Sequence, residues 1–362
     1  MLVAASSGGA DASAQPASPS SAQAKTSSVT AAAKAAPGAT VQRVMARNLG
    51  SPWGLVFLPN GNALVSSRDG ATIVRVSKNG GKSAVGRVPG VVSNGRSGGE
   101  AGLLGLAIAR DFAKTRWLYA YVSTRSDNRV VRMRYRSGKL GARHVVLKGI
   151  PRGLHHNGGR IAFGPDGQLY VTTGEGGNGS LAQRRSSLGG KILRVTPTGG
   201  VPRGNPFAGS PVWSMGHRNI EGLAWDSAGR LWSTEFGEKS WDELNLILPG
   251  RNYGWPATQG RTSNPRYTSP KAQWRTDAAG PSGIAIINDV AWIGALTGKR
   301  LYRVPLIGAR AGTPRGFLVG SQGRLRTAVA APDGSLWLTT SNTDGRADPR
   351  PGDDRILRLK VS

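Results

Sequence analysis

Residues 160–172 read Arg160-Ile-Ala-Phe-Gly-Pro-Asp-Gly-Gln-Leu-Tyr-Val-Thr172. A short apolar segment leads into Pro-Asp-Gly, and a second apolar segment follows. Pro and Asp favour the centre of a tight turn, and Gly accepts the positive φ that such a turn requires. We therefore predict that the two segments pair as the antiparallel strands of a hairpin.

The same unit recurs along the chain. Clear copies also begin at Trp53, Gly222 and Thr327, and weaker copies begin at Gly105 and Gly283. A third apolar strand follows most of these hairpins, as in Thr72–Val76, Val130–Tyr135, Lys191–Val195 and Arg300–Val304. One small sheet per unit, repeated at roughly 40 to 65 residues, is typical of a β-propeller.

The six units predict an all-β fold, a six-bladed β-propeller of four-stranded antiparallel sheets over residues 41–362. We expect the strand from Val41 to Met45 to join the last sheet beside Arg355–Leu359 and so close the ring. A β-sandwich with coincidentally similar turns is the alternative, and six copies in order favour the propeller.

Residues 1–40 contain mostly Ala, Ser, Gly, Gln, Pro and Thr. Such a stretch cannot bury a core, so we predict that it is disordered. It is either a simple tail or a linker between an export signal or anchor and the domain. The residues Met1-Leu2-Val3-Ala4-Ala5 resemble the end of a signal peptide, so we expect an exported protein that is extracellular or associated with the cell envelope.

The 362 residues carry a net charge of +28 and no cysteine. Disulfides, thiolate metal sites and cysteine nucleophiles are thereby excluded. Such a charge attracts polyanions, so an anionic cell-wall polymer or an anionic cofactor is an expected partner. The basic residues are scattered without zinc-finger spacing, which argues against nucleic acid. No apolar run reaches about 18 residues, so no transmembrane segment is expected.

Two segments that interrupt the repeat carry basic or titratable side chains. A propeller places function in the loops over one mouth of its channel. His156 precedes Asn157-Gly158-Gly159, and it is either a general base or a histidine that caps a loop. Arg218, which follows His217, offers a planar set of donors to a carboxylate, or is a surface arginine.

Two more segments carry clustered charge. An acidic stretch between two strands suits a hard cation such as Ca²⁺, or is a surface turn that balances a basic protein; its members are Glu235, Glu238, Asp242 and Glu243. Arg324 and Arg326 lie two apart in an extended segment, so both point to one face. They favour an anion there, or are ordinary solvated charges.

With these segments in view, the chain resembles the soluble sugar dehydrogenases that depend on pyrroloquinoline quinone (PQQ). This is the glucose/sorbosone dehydrogenase family, which includes aldose sugar dehydrogenases and folds as a six-bladed propeller. The resemblance spans about residues 41–360 and rests on an ordered set of motifs: Pro52-Trp53-Gly54-Leu55, Gly102-Leu-Leu-Gly-Leu-Ala107, His156-Asn-Gly-Gly-Arg160, Gly189-Gly-Lys-Ile-Leu-Arg194, Asn205-Pro-Phe207, Gly216-His-Arg-Asn219, Asp242-Glu-Leu-Asn245 and Asn252-Tyr-Gly-Trp-Pro256.

The resemblance implies a role for each candidate residue. His156 matches the catalytic base, Glu175 matches an acid that orients it, and Arg218 stabilises the developing oxyanion. The implied cofactor-binding residues are Glu100, Arg218, Asn219, Lys299, Arg324 and Arg326. The implied calcium ligands are the backbone carbonyls of Gly237 and Glu238.

The implied reaction oxidises an aldose to its lactone. His156 takes the proton of a sugar hydroxyl while hydride passes from the same carbon to the quinone C5, and Ca²⁺ polarises the C5 carbonyl as a Lewis acid. An external acceptor then takes the electrons. A non-catalytic propeller that binds a glycan or a protein, and a metal-dependent lactonase, are the alternatives.

Three positions depart from the family pattern. Glu100 stands where many members have Gln, and Glu238 replaces a common Pro. Thr297 stands where a Lys is expected, although Lys299 lies two residues further on. An added acid and a missing base predict weaker binding of a trianionic quinone, by about 1.5–3 kcal/mol for one lost charge-assisted contact.

Overall fold

The structure, a computed structural model, describes residues 37–362. The predicted tail or linker of residues 1–40 therefore lies outside the described residues except for its last four. The first strand, β1, spans Ala39–Ala46 and so begins two residues before the predicted domain start. The helical segments within residues 37–362 are single turns: a 3₁₀ turn at Gly95–Ser97 and the helices α1 (Phe112–Thr115) and α2 (Ser180–Gln183). None of these helices is long or apolar enough to cross a bilayer.

Six antiparallel sheets follow one another along the chain, and we number them as blades 1 to 6. The strands of blade 1 are β2 (Pro52–Phe57), β3 (Ala63–Ser67), β4 (Thr72–Val76) and β5 (Lys82–Arg87). Those of blade 2 are β6 (Leu103–Ile108), β7 (Trp117–Ser123), β8 (Asn128–Arg136), β9 (Lys139–Leu140) and β10 (His144–Ile150). Those of blade 3 are β11 (Ile161–Phe163), β12 (Leu169–Thr172), β13 (Lys191–Val195) and β14 (Val212–Met215).

The second half of the ring repeats this arrangement. The strands of blade 4 are β15 (Ile220–Trp225), β16 (Leu231–Glu235), β17 (Trp241–Ile247) and β18 (Ala272–Arg275). Those of blade 5 are β19 (Pro281–Ile287), β20 (Val290–Ala295), β21 (Arg300–Ile307), β22 (Arg310–Ala311) and β23 (Arg315–Phe317). Those of blade 6 are β24 (Leu325–Ala330), β25 (Leu336–Thr340) and β26 (Ile356–Val361), completed by β1.

The six-bladed propeller is confirmed, and every blade contains a path of four strands, to which blades 2 and 5 add a fifth, short strand. In both blades a long third strand extends past its neighbours and folds back on itself. β8 turns at Gly138 to pair with β9, and β21 turns at Gly308 to pair with β22. Both glycines have positive φ, which permits so tight a return.

The repeated Pro-Asp-Gly turns have the predicted geometry. Gly167 has φ +74° and Gly334 has φ +78°, so each occupies the left-handed position that closes its hairpin. The strands on either side pair in register, for example Phe163 with Leu169. The turn chemistry therefore positions the hairpin between the first two strands of blades 3 and 6.

The hydrophobic core lies between the blades. Six clusters of buried side chains occur among the described residues, and each of them joins neighbouring blades. Trp337 of blade 6 shows the packing: it is 2% exposed and meets Phe57 of blade 1 edge to face, with ring centroids 4.9 Å apart. Each blade therefore depends on both of its neighbours.

Ring closure depends on β1, as predicted. β1 pairs antiparallel with β26, from Ala39 opposite Val361 to Ala46 opposite Ile356. Met45 and Ala46 are buried in the cluster that joins blade 6 to blade 1. One strand from the start of the domain thus completes the sheet formed by its end.

We expect Met45→Asp to lower the free energy of unfolding by about 3 kcal/mol or more, because it places an unpaired charge in a buried position. Gln42 lies three residues earlier on the same strand, where its side chain is exposed. Gln42→Asp should therefore change the free energy of unfolding by less than about 0.5 kcal/mol. Urea denaturation measures both. Equal effects of the two variants would show that β1 does not pack into the ring.

Candidate active site

Every predicted site residue lies at one mouth of the channel. In each blade the first strand starts and the second strand ends at the same edge, because the two are antiparallel. His156, Arg218 and Arg324 precede first strands, whereas Glu175 and Glu238 follow second strands. The blade repeat therefore collects segments that are far apart in sequence at this edge, which we call the polar mouth.

His156 is held by hydrogen bonds on its ring and on its backbone. Its Nδ1 lies 2.8 Å and 2.9 Å from the two carboxylate oxygens of Glu175. Its backbone has φ +55°, with the N–H donating to Glu100 at 2.8 Å and the carbonyl accepting from Gly176 at 3.0 Å. Its side chain is 19% exposed, whereas that of Glu175 is only 3% exposed. The imidazole is thus fixed with one edge against a buried acid and part of its surface open.

Arg218 lies beside this pair with donors to spare. Its backbone N–H donates to Glu235 at 2.6 Å, and its Nη1 donates to the Phe236 carbonyl at 3.5 Å. Its Nε is buried and has no hydrogen-bond partner among residues 37–362. Burial lowers the pKa of Arg218, and the opposing, smaller effect comes from the carboxylates of Glu175, Glu238, Glu100 and Glu235.

Arg324 and Arg326 point to one face, as their spacing predicts. Both donate to the same oxygen of Asp344, Arg324 at 3.2 Å and Arg326 at 3.3 Å. Arg326 also donates to Glu221 at 2.8 Å. The anions beside these guanidiniums therefore include two buried carboxylates of the protein itself, which were not predicted from the sequence.

One chain of contacts connects the arginine pair to the histidine. Asp344 accepts from the backbone N–H of Arg346 at 3.1 Å, and Arg346 Nη1 forms an ion pair with Glu100 at 3.1 Å. Glu100 in turn accepts the N–H of His156. Arg346 was missed because it lies in the irregular interval between β25 and β26, and the length of that interval was the only signal for it.

Asn219 and Gly237 hold the loops around Arg218. Asn219 is 2% exposed, and its side-chain oxygen accepts the Gly158 N–H at 2.9 Å. Gly237 donates to Asp242 at 2.9 Å, and a Cβ at Gly237 would lie 1.9 Å from the Trp241 carbonyl oxygen. This close approach of two backbone segments requires glycine.

The remaining predicted residues lie at the rim. Glu238 is exposed, and its charge acts on Arg218. Lys299 is exposed in the turn between β20 and β21, and within residues 37–362 its side chain forms no hydrogen bond or ion pair with the histidine or with the arginines. Lys299 therefore lies at the same edge of the ring as the other candidates, but outside their hydrogen-bond network.

The acidic stretch forms a buried network rather than an open set of ligands. Glu235 accepts from His217 Nδ1 at 2.8 Å, and Glu243 accepts from Asn245 and from the Gly260 N–H. Within the described chain, no three His, Asp or Glu side chains form a cluster that could hold a metal. The side chains predicted to bind a cation thus serve mainly as acceptors of protein N–H groups.

Burial changes the protonation of this network. Burial raises the pKa of Asp242 to about 7, although it accepts the N–H groups of Gly280 and Gly237. Burial and the nearby charge of Glu235 also raise the pKa of Glu243. Both acids therefore bind protons at pH values where exposed carboxyl groups are ionised.

The opposite mouth of the channel has a different character. It contains a cavity of about 590 Å³ lined by the inner strands of all six blades, with Leu55, Phe163 and Trp225 among its walls. Its charged lining residues are Arg110 and Arg160, and its described lining includes no acid and no histidine. The groups that could transfer protons lie at the polar mouth instead.

A family model described as glucose/sorbosone dehydrogenase matches residues 49–357. The chain belongs to the glucose/sorbosone dehydrogenase family. The match runs from the first strand of blade 1 to the start of the last strand of blade 6, and it includes every residue of the polar mouth named above.

The chain is similar to several proteins of this family that are known by name or by solved structure. The PQQ-bound form of an aldose sugar dehydrogenase from Streptomyces coelicolor is 53% identical, with a TM-score of 0.87 over 90% of this chain and 100% of that one. The aldose sugar dehydrogenase of Escherichia coli is 29% identical over 86% of this chain and 92% of the relative. Quinoprotein glucose dehydrogenase B of Acinetobacter calcoaceticus is 31% identical over 62% of this chain and 54% of the relative.

The buried acids predict a loss of stability with rising pH. An unfolded Asp ionises near pH 4, whereas Asp242 in the folded chain retains its proton up to about pH 7. Between these values the folded state binds more protons, so the free energy of unfolding falls as the pH rises. Glu243, whose pKa is also raised, adds to the same decline.

We expect Glu243→Gln to flatten this decline and to be at least about 1 kcal/mol more stable than the unmodified protein at pH 8, since one pKa unit corresponds to 1.36 kcal/mol. A Gln amide can donate to Asn245 Oδ1, which is buried and has no partner among the described residues. Denaturant titrations from pH 5 to pH 8 measure the slope. Asp348→Asn, at an exposed position, is the control and should leave the slope unchanged; a Glu243→Gln slope equal to that of the control would contradict the prediction.

Proposed function

We propose that this chain is a PQQ-dependent dehydrogenase that oxidises aldose sugars to lactones and passes the electrons to an external acceptor. The His156–Glu175 pair beside Arg218 carries the proposal. It combines an oriented proton acceptor with a buried guanidinium whose Nε has no partner among residues 37–362. The named relatives, two aldose sugar dehydrogenases and a quinoprotein glucose dehydrogenase, support it.

The residues at the polar mouth fit a PQQ molecule with a Ca²⁺ ion. Arg324 and Arg326 would hold carboxylates of the cofactor, since each side chain offers several N–H donors. Arg218 and Asn219 would hold the quinone oxygens, and the unpartnered Nε of Arg218 is a donor that such a ligand would satisfy. When bound, the quinone would supply the hydride acceptor, and the Ca²⁺ ion would activate it as a Lewis acid.

The metal would take backbone oxygens rather than the buried carboxylates. The Gly237 turn is held against Trp241 and Asp242, beside Arg218. The carbonyls of Gly237 and Glu238 are hard oxygen donors, which Ca²⁺ prefers. The exposed carboxylate of Glu238 adds negative charge at the same place.

His156 acts as the general base in this proposal. Glu175 accepts the Nδ1–H, which selects the tautomer with a lone pair on Nε2 and stabilises the imidazolium that forms when Nε2 takes a proton. The proton comes from the sugar hydroxyl whose carbon is oxidised. Because Glu175 is almost fully buried, the carboxylate is poorly screened by water and orients the ring strongly.

Arg218 stabilises negative charge that develops opposite the sugar. Its guanidinium is fixed over the Trp255 ring, with its central carbon 5.5 Å from the ring centroid. A charged donor that is already in place costs no reorganisation during the reaction. The arrangement therefore supplies positioned charge, while His156 moves the proton.

Loading the purified protein with PQQ and Ca²⁺ and then adding glucose tests the proposal. We expect stoichiometric uptake of PQQ in equilibrium dialysis, followed by conversion of the absorbance to that of the reduced quinone. Uptake without reduction by any of a panel of aldoses would contradict the substrate class. Absence of uptake would contradict the cofactor and favour a binding propeller without catalysis.

We expect His156→Ala to lower kcat by 10² to 10⁴, the usual contribution of a general base. Glu175→Gln should lower kcat at least about tenfold, because an amide can donate to Nδ1 and select the wrong tautomer. Dye-linked turnover of the PQQ-loaded variants measures both. His144→Ala, on the outer strand β10, is the matched control and should retain full activity; an equal loss there would point to misfolding instead of chemistry.

A further inference from the structure

An ion pair crosses the polar mouth between two blades that are not neighbours. Arg346 follows β25 of blade 6, and Glu100 precedes β6 of blade 2, so blade 1 lies between them. Their side chains meet at 3.1 Å, and Arg346 Nη2 also donates to the Gly98 carbonyl at 3.0 Å. We call this contact the Glu100–Arg346 bridge.

Glu100 serves two donors at once. One carboxylate oxygen accepts the His156 N–H at 2.8 Å, and the other accepts from Arg346. Burial would raise the pKa of Glu100, but the charge of Arg346 and the His156 N–H, followed by the charges of His155 and His156, outweigh burial and lower it. Glu100 is therefore ionised at neutral pH, next to the backbone of the proposed base.

Arg346 is the cation that compensates this charge. Four carboxylates act on Arg218, namely Glu175, Glu238, Glu100 and Glu235. Two of them lie against histidines, Glu175 against His156 and Glu235 against His217. Glu100 has Arg346 instead, and the bridge is partly buried, with Arg346 33% exposed and Glu100 20% exposed.

We propose that Arg346 is a positioning residue that neutralises Glu100, so that Glu100 can hold the His156 backbone without repelling a polyanionic cofactor. The inference rests on the proposed function, because the ligand it concerns is PQQ. A lone carboxylate at this place, which is only partly exposed to water, would repel the three negative charges of the cofactor. The bridge makes the Glu100 site nearly neutral overall, as a glutamine would, and keeps a carboxylate as the acceptor for His156.

A double-mutant cycle with four proteins tests this inference: the unmodified chain, Arg346→Ala, Glu100→Gln and the double variant. The dissociation constant for PQQ in excess Ca²⁺ is measured by fluorescence titration at low and high salt. We expect Arg346→Ala to weaken PQQ binding at least tenfold at low salt, and less at high salt, because salt screens the uncompensated charge. Glu100→Gln combined with Arg346→Ala should bind PQQ within about threefold of the unmodified chain.

Recovery of PQQ binding in the double variant distinguishes compensation of the Glu100 charge from other roles of Arg346. If the double variant binds PQQ as weakly as Arg346→Ala, Arg346 contacts the ligand directly and the inference is wrong. If Arg346→Ala binds PQQ normally, the bridge is only structural and the inference is also wrong. Thermal unfolding of the four apo proteins is the folding control, and we expect the melting temperatures to agree closely, since a partly exposed ion pair contributes little stability.

The outcome for the unmodified chain separates this inference from the proposed function. If the unmodified chain takes up no PQQ, the proposed function fails, and the inference fails with it. If the unmodified chain binds PQQ but the cycle shows no rescue, only the role of Arg346 is rejected. Binding by the unmodified chain together with rescue in the double variant supports both.

Discussion

Charge compensation determines which side chains lie against each other at the polar mouth of this propeller. An unpaired carboxylate or guanidinium removed from water costs several kcal/mol, so each must lie near a partner. Asp344 satisfies this requirement for Arg324 and Arg326 together, and Glu175 lies against His156. The contacts continue from one blade to the next, so replacing one charged residue alters the environment of several others.

The blade repeat explains why such pairs can form. Antiparallel pairing places the start of each first strand beside the end of the second strand, and in blades 3 and 4 these two positions are occupied by a histidine and a glutamate. His156 and Glu175 hold them in blade 3, and His217 and Glu235 hold them in blade 4. Hydrophobic packing between blades 3 and 4 holds the two blades, and so the two pairs, in place.

Local signals in the sequence predicted the fold, because a Pro-Asp-Gly turn and the strands beside it act over a dozen residues. The spacing of Arg324 and Arg326 likewise predicted that they share a face. Their partners could not be predicted, since Glu221 lies 105 residues from Arg326, and Arg346 lies 246 residues from Glu100. The acidic stretch was misleading in part because charge in a sequence does not reveal burial, and Asp242 and Glu243 lie inside the protein.

The two histidine–glutamate pairs differ in burial, and burial decides which of them could act as the base in the proposed function. His217 is fully buried, its Nε2 lies 2.9 Å from Ser214 Oγ, and its ring stacks on Tyr253 at 4.6 Å. Both of its nitrogens are therefore occupied, and its role is to hold Glu235 beneath the Arg218 backbone. His156 keeps the same contact to its glutamate but leaves part of its ring exposed. A proton acceptor needs a free nitrogen that a substrate can reach, so the same kind of pair supports structure in blade 4 and is available for the proposed proton transfer in blade 3.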